Sequence, residues 1–154
     1  MISANIYEKT FSFDNAKQLS EYLSLLLKEL NNVKITLAVG CGKSYDDRYV
    51  YLDQPLIMIF DNSNIVQIEY FNKNSFKITY TSIIELDLSL TGIDDNFSLI
   101  NPAYFENASL VDFEVPSLND GTFNNIKLKL SNKTIVDMSI QSNDNCCAIE
   151  FYEE

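Results

Sequence analysis

The residues that could move protons, hold metals or attack a substrate set the first bounds. The chain has no histidine. That removes Ser-His-Asp and Cys-His relays, histidine metal sites and the usual proton shuttle near neutral pH. Carboxylates, lysine, tyrosine or cysteine would have to carry any proton transfer. The stretch Gly40-Cys41-Gly42-Lys43-Ser44 carries the Gly-Lys-Ser that closes a phosphate-binding loop. The full pattern needs glycine five positions before Gly42, where Leu37 stands. It also needs a helix directly after the serine, so that backbone N–H groups point at the phosphates. Tyr45-Asp46-Asp47-Arg48-Tyr49-Val50-Tyr51 follows instead: two carboxylates that repel phosphate, then a strand-like run. A glycine-rich turn is the simpler reading.

Cys146 and Cys147 are neighbours, and neighbours in a strand point to opposite faces, so they do not readily share a metal. Cys41 is the only other thiol. One or both of the neighbouring pair suit small buried positions. Asp46-Asp47, Asp94-Asp95, Asp120 and Asp144 fall in loops, and none has the ligand spacing of a calcium loop. Asn119-Asp120-Gly121 reads as turn chemistry, since all three tolerate left-handed backbone. A paired-carboxylate hydrolase would have no motif beyond the carboxylates themselves. No cofactor or metal set emerges. Tyr45, Tyr49 and Tyr51 stand close to Asp46, Asp47 and Asp53. Tyrosines mixed with carboxylates suit a protein interface that receives Lys and Arg. The candidate partner-binding residues are therefore Tyr45, Asp46, Asp47, Tyr49, Asp94, Asp95 and Asp120. The competing reading has Tyr49 and Tyr51 simply packing on one strand face.

Charge points the same way. The net charge is −11 and the pI near 4.3. Such a chain repels phosphate backbones and anionic lipid surfaces, which disfavours nucleic acid and membrane. Opposite fields speed encounter with a basic protein. The blander reading is that acidity only keeps the chain soluble. The start, Met1 to Glu8, lacks the basic flank and apolar run of a signal peptide. No apolar run approaches the roughly 20 residues of a membrane helix. Three cysteines, an odd number, argue against a disulfide framework. The cytoplasm is the expected compartment. The length of 154 residues fits one domain over 1–154 with a real core.

The elements that would position these residues centre on Pro55 to Phe71. Leu56 to Phe60 is apolar on both parities, so this strand should be covered on both sides. Asp61-Asn62-Ser63-Asn64 is a hairpin turn, and Val66, Ile68 and Tyr70 then alternate with Gln67 and Glu69. Asn5 to Phe13 suggests a short first strand. Asp14 can cap a helix over Ala16 to Leu30, with Leu19, Tyr22, Leu23, Leu26, Leu27 and Leu30 on one face. Val33–Val39 and Tyr49–Leu52 read as strands around a loop, Gly40 to Arg48. Phe76–Tyr80 and Ile83–Leu90 follow. Thr91 to Glu106 reads as an ordered crossover with room for a short helical turn. Leu110–Val115 shows Asp112 and Glu114 outward, and Pro116 to Asn125 is a loop. Ile126–Leu130 with Thr134–Ile140 forms a second hairpin, and Cys146–Tyr152 closes the chain.

The two hairpins echo each other. Phe60-Asp61-Asn62-Ser63-Asn64-Ile65-Val66 aligns without a gap on Leu130-Ser131-Asn132-Lys133-Thr134-Ile135-Val136. Either the fold holds two similar sheet units, or four-residue hairpins simply look alike; without further repeats the second is simpler. Lys127, Lys129 and Asp137 stand where the first hairpin has Ile57, Ile59 and Gln67, so the second should be half-exposed. The expected fold is α+β: one N-terminal amphipathic helix on a largely antiparallel sheet of about seven to ten strands, with two similar hairpins and room for a bend into two layers.

At class level the helix Ala16 to Leu30, the hairpin PLIMIFDNSNIVQIEYF, the echo IKLKLSNKTIVDMSI, the acidity and the missing catalytic motif resemble small acidic bacterial immunity proteins. That resemblance implies a non-enzymatic protein that neutralises a basic toxin by blocking its active site or an adjacent surface. The alternative is a small-ligand binder, or a carboxylate-based enzyme, with a pocket between helix and sheet.

Overall fold

The computed structural model describes residues 9–41, 43–45, 48–52, 56–70, 75–82, 97–100, 102–141 and 146–154. Helix α1 spans Ala16–Glu29. Its first turn is held by Asn15, whose Oδ1 accepts from the backbone N–H of Lys17 at 2.9 Å and Gln18 at 3.2 Å. The cap is thus one residue beyond Asp14. Both residues can cap, and Asn15 is the one with extended backbone preceding the helix. The Ala16 N–H, a further orphan of the first turn, donates to Gly121 O at 2.9 Å. Leu19, Tyr22, Leu23 and Leu26 are buried, as their spacing requires. The last turn closes at Leu30, and Asn32 takes left-handed backbone at φ 62°.

The strands are β1 (Lys9–Phe13), β2 (Ile35–Cys41), β3 (Lys43–Tyr45), β4 (Arg48–Leu52), β5 (Leu56–Phe60), β6 (Asn64–Tyr70), β7 (Phe76–Ser82), β8 (Phe97–Leu99), β9 (Leu110–Glu114), β10 (Asn125–Leu130), β11 (Thr134–Gln141) and β12 (Cys146–Glu153). Among the described residues they form two six-stranded antiparallel sheets. Sheet 1 has the order β1-β7-β6-β5-β2-β8 and sheet 2 the order β3-β4-β12-β11-β10-β9. The α+β class and the two similar hairpins hold. The two layers are separate sheets with one apolar core between them, and α1 plugs that core from one side. Tyr22 packs against the rings of Phe11 and Phe13 at 5.3 and 5.0 Å, and Leu23 and Leu26 line one small apolar space with Met58 and Ile68 of sheet 1 and Leu110 and Leu128 of sheet 2.

Two stretches depart from expectation. The segment read as one loop from Gly40 to Arg48 is mostly strand. Gly40 and Cys41 belong to β2 because β8 pairs with them, Gly40 opposite Ser98 and Cys41 opposite Phe97. Lys43–Tyr45 pairs with Arg48–Val50 as a hairpin. Lys43 and Ser44 therefore lie in a strand, where no helix N-terminus gathers backbone N–H groups for a phosphate. Among the described residues the crossover after Thr91 holds β8 and a 3₁₀ turn, Pro102–Tyr104. The strand expected over Ile83 to Leu90 lies outside the described residues.

The echo between the hairpins runs through both sheets. Strands β2-β5-β6-β7 match β9-β10-β11-β12 position by position. Met58 faces Val66 as Leu128 faces Val136, and Val66 faces Tyr80 as Val136 faces Phe151. Both first strands carry a bulge at the same place: Thr36 is the extra residue between Ile35 and Leu37, and Val111 the one between Leu110 and Asp112. Ser63 and Lys133, at the matching turn positions, have φ of 67° and 73°. Asn32 and Asn107, each two residues before its first strand's opening bridge, have φ of 62° and 57°. Val33 N–H donates to Leu30 O at 3.0 Å, and Ala108 N–H to Phe105 O at 2.8 Å. Lys34 and Ser109, again equivalent, bridge each other. Around that bridge Asp61 N–H donates to Lys34 O and Ser131 N–H to Ser109 O, at 2.8 and 2.9 Å. The likeness of the hairpins is thus part of two similar sheet units related by a local two-fold, rather than a coincidence of turn type. The helix marks the difference: α1 stands directly before the first unit, and among the described residues the 3₁₀ turn stands in its place before the second.

Candidate interaction surface

Sheet 1 has no wet face at its centre. Met58 and Val66 line the core, and Ile57 and Ile65, which point the other way, are also buried at 1% and 0% exposure. This bears out the expectation that the strand Leu56 to Phe60 is covered on both sides. Sheet 2 differs at the position equivalent to Ile57, where Lys127 is half-buried, while Ile135, equivalent to Ile65, is buried as well. Its outward row places Glu114, Lys127, Asp137 and Glu150 side by side across β9, β10, β11 and β12. The next row holds Asp112, Lys129, Ile135 and Tyr152. Alternation along each strand puts all of these on the side away from the core. Asp112 and Glu114 are exposed, and Lys127, Lys129, Asp137 and Glu150 half-buried.

Asp137 is the organising group of this face. Its carboxylate accepts from Asn125 Nδ2, from Ser139 Oγ at 3.1 Å and from the Tyr152 hydroxyl at 3.0 Å. Partial burial, then the hydrogen bond and charge of Asp137 with Glu150 and Glu114 nearby, pushes the Tyr152 phenol up to about 12. Tyr152 therefore stays a neutral donor at any physiological pH. Lys129 reaches Glu154 at 4.0 Å, a long pair with an exposed carboxylate and so of little energetic weight.

Of the residues singled out from sequence, Tyr45 and Tyr49 sit on the β3–β4 hairpin, at one edge of sheet 2. Asp120 sits in the turn between β9 and β10, at the other edge. Its Oδ1 accepts from the Thr122 hydroxyl at 2.5 Å and the Thr122 N–H at 3.0 Å, and these bonds hold its carboxyl below the usual aspartate range. That is turn chemistry, as its neighbours suggested. The fold does not bring Asp120 to the two tyrosines. Asp46, Asp47, Asp94 and Asp95 lie outside the described residues. Asp112, Glu114, Glu150 and Tyr152 were not chosen as site residues, although alternation had already placed the first two outward.

Among the described residues a small space lies between the helix and the sheets. It measures about 10 Å³ and is lined by apolar side chains such as Leu23, Met58 and Phe113. A water needs at least about that much, and polar partners as well. Two open grooves lie where the units meet. One, of about 370 Å³, runs along Lys34 to Ala38 beside Ile100 and Pro102. The other, of about 360 Å³, runs along Ser109 to Val111 beside Leu27 and Asn31. They are equivalent under the two-fold. Among the described residues no three His, Cys, Asp or Glu side chains cluster as metal ligands, and no helix is long and apolar enough to cross a membrane. Compared with protein-family models, curated proteins and solved structures, the chain matches none.

Proposed function

We propose that this protein is a non-enzymatic binding module of the immunity type, which neutralises a basic toxin by covering it with the outer face of sheet 2. The observation that carries this reading is the contrast between two similar units. The outward centre of sheet 1 is covered and carries no charge, with Ile57, Ile65, Gln67 and Thr81 buried there, whereas sheet 2 offers Asp112, Glu114, Asp137 and Glu150 against Lys127 and Lys129. The Asp137–Tyr152–Asn125 network fixes that face before a partner arrives, which lowers the ordering cost of binding. The net charge of −11 adds a long-range field that attracts a cationic protein. The space described between helix and sheets is apolar and only about 10 Å³, which favours a packed core there over a ligand pocket.

The test is to recover the partner from the source cells with the tagged full chain and then measure binding kinetics with the purified pair. The reading expects a basic partner whose association slows as salt rises, and a further slowing with Glu150→Lys. Salt-insensitive association, or a Glu150→Lys variant that binds like the parent, would overturn it.

A further inference from the structure

The two-fold leaves one position filled in the first unit and open in the second. The outer edge of β2 is paired with β8, Val39 opposite Leu99 and Gly40 opposite Ser98, and Ile100 N–H donates to Ala38 O at 2.9 Å. The equivalent edge belongs to β9, where Phe113 matches Ala38, Glu114 matches Val39 and Val115 matches Gly40. Among the described residues β9 pairs on one side only, with β10. Three of its side chains are open to solvent, Asp112, Glu114 and Val111 at 55% exposure, while Leu110 is buried and Phe113 half-buried. The Phe113 N–H points away from β10 and is held by the carboxylate of its own neighbour, Asp112 Oδ1, at 2.8 Å. In the first unit the chain that leaves β8 passes along the groove beside Lys34 to Ala38. The matching groove beside Ser109 to Val111 is of nearly the same size and is bordered by Leu27 to Asn32 instead, so the two units differ at the strand edge and not at the groove.

We propose that the edge of β9 accepts an extended segment of a partner protein as a seventh, antiparallel strand of sheet 2, with Lys or Arg at alternate positions. Backbone bonds would form at Phe113 and Val115, as they form at Ala38 and Gly40. An incoming carbonyl takes the Phe113 N–H and releases the Asp112 carboxylate. That carboxylate then needs a cation opposite it, and so does Glu114. Lys129 and Lys127 already face these two carboxylates from β10, so a cationic strand continues the alternation of sign across the sheet. A second copy of this chain is a poor occupant. Antiparallel pairing of β9 with itself sets Asp112 and Glu114 against carboxylates of the other copy, and like charges directly opposite are destabilising.

This proposal rests on the partner-binding reading but can fail apart from it. The probe is a short capped peptide alternating valine and lysine, added to the isotope-labelled full chain. The readout is backbone amide exchange. The expected result is new protection at Phe113 and Val115, lost when the peptide is N-methylated on its pairing edge and about tenfold weaker binding with Glu114→Lys. No protection on β9, or equal protection by a valine–glutamate peptide, overturns the proposal. A chain that sediments as a dimer which the peptide dissociates also overturns it, in favour of a second copy. Weaker partner binding in Glu150→Lys with unprotected β9 amides would sink the edge site and leave the face reading standing. Protection on β9 with a salt-insensitive partner would do the reverse.

Discussion

Two tyrosines show how the same side chain serves burial and exposure differently. Tyr22 is fully buried in α1, and its hydroxyl makes no hydrogen bond to the protein. Burial first, then the nearby Tyr80, raises its ionisation far into the alkaline range. An unpaired buried hydroxyl costs about 1–3 kcal/mol, so Tyr22→Phe should leave packing on Phe11 and Phe13 intact and stabilise the fold by roughly 1 kcal/mol. Urea unfolding checks this: the midpoint should rise with an unchanged slope. Tyr152 works the other way, as a donor at the surface. Its phenol ionises at about 12 in the fold against an ordinary value of 10.0. The folded state thus holds the proton more tightly, so the contribution is complete below pH 10 and is lost as pH rises from 10 to about 12. Tyr152→Phe should flatten the fall in stability across that window. A tyrosinate absorbance titration of the two proteins should differ by one late-ionising phenol.

At the level of elements, the helix was legible because Leu19, Tyr22, Leu23 and Leu26 repeat at its pitch. Its cap was legible to within one residue, since Asp14 and Asn15 are both capping types and only the backbone decides between them. Asn15→Ala should cost about 1 kcal/mol, and Asp14→Ala much less, by thermal unfolding of the two variants. The β5–β6 hairpin was legible from its tetrad turn, and so was its covering on both sides. The strand at Gly40 was not, because glycine reads as a break and its partner β8 lies far along the chain. The interaction face was half legible. Alternation sent Asp112, Glu114, Lys127, Lys129 and Asp137 outward, but only the order β12-β11-β10-β9 shows that they share one surface. The matched bulges were invisible, since Thr36 and Val111 share no chemistry that marks an extra residue.

The whole molecule is held by a core that draws on α1 and both sheets. Leu128 sits in it at 2% exposure, beside Leu23, Met58 and Phe113. Leu128→Ala should therefore cost about 2–5 kcal/mol, and hydrogen exchange should show protection falling together in β6 of sheet 1 and β10 of sheet 2. Independent loss in one sheet would mean that the two units fold separately. Such a kinship between units carries a hazard during folding. Strands that share register and turn offer each other wrong mates, and a nascent chain can dock one hairpin in its twin's berth. Here the exchange is self-correcting: seating β10 where β5 belongs would drag Lys127 into the dry position of Ile57, and burying an unpaired ammonium group is costly. A lysine that colours the outer face thus also tells the chain which half is which.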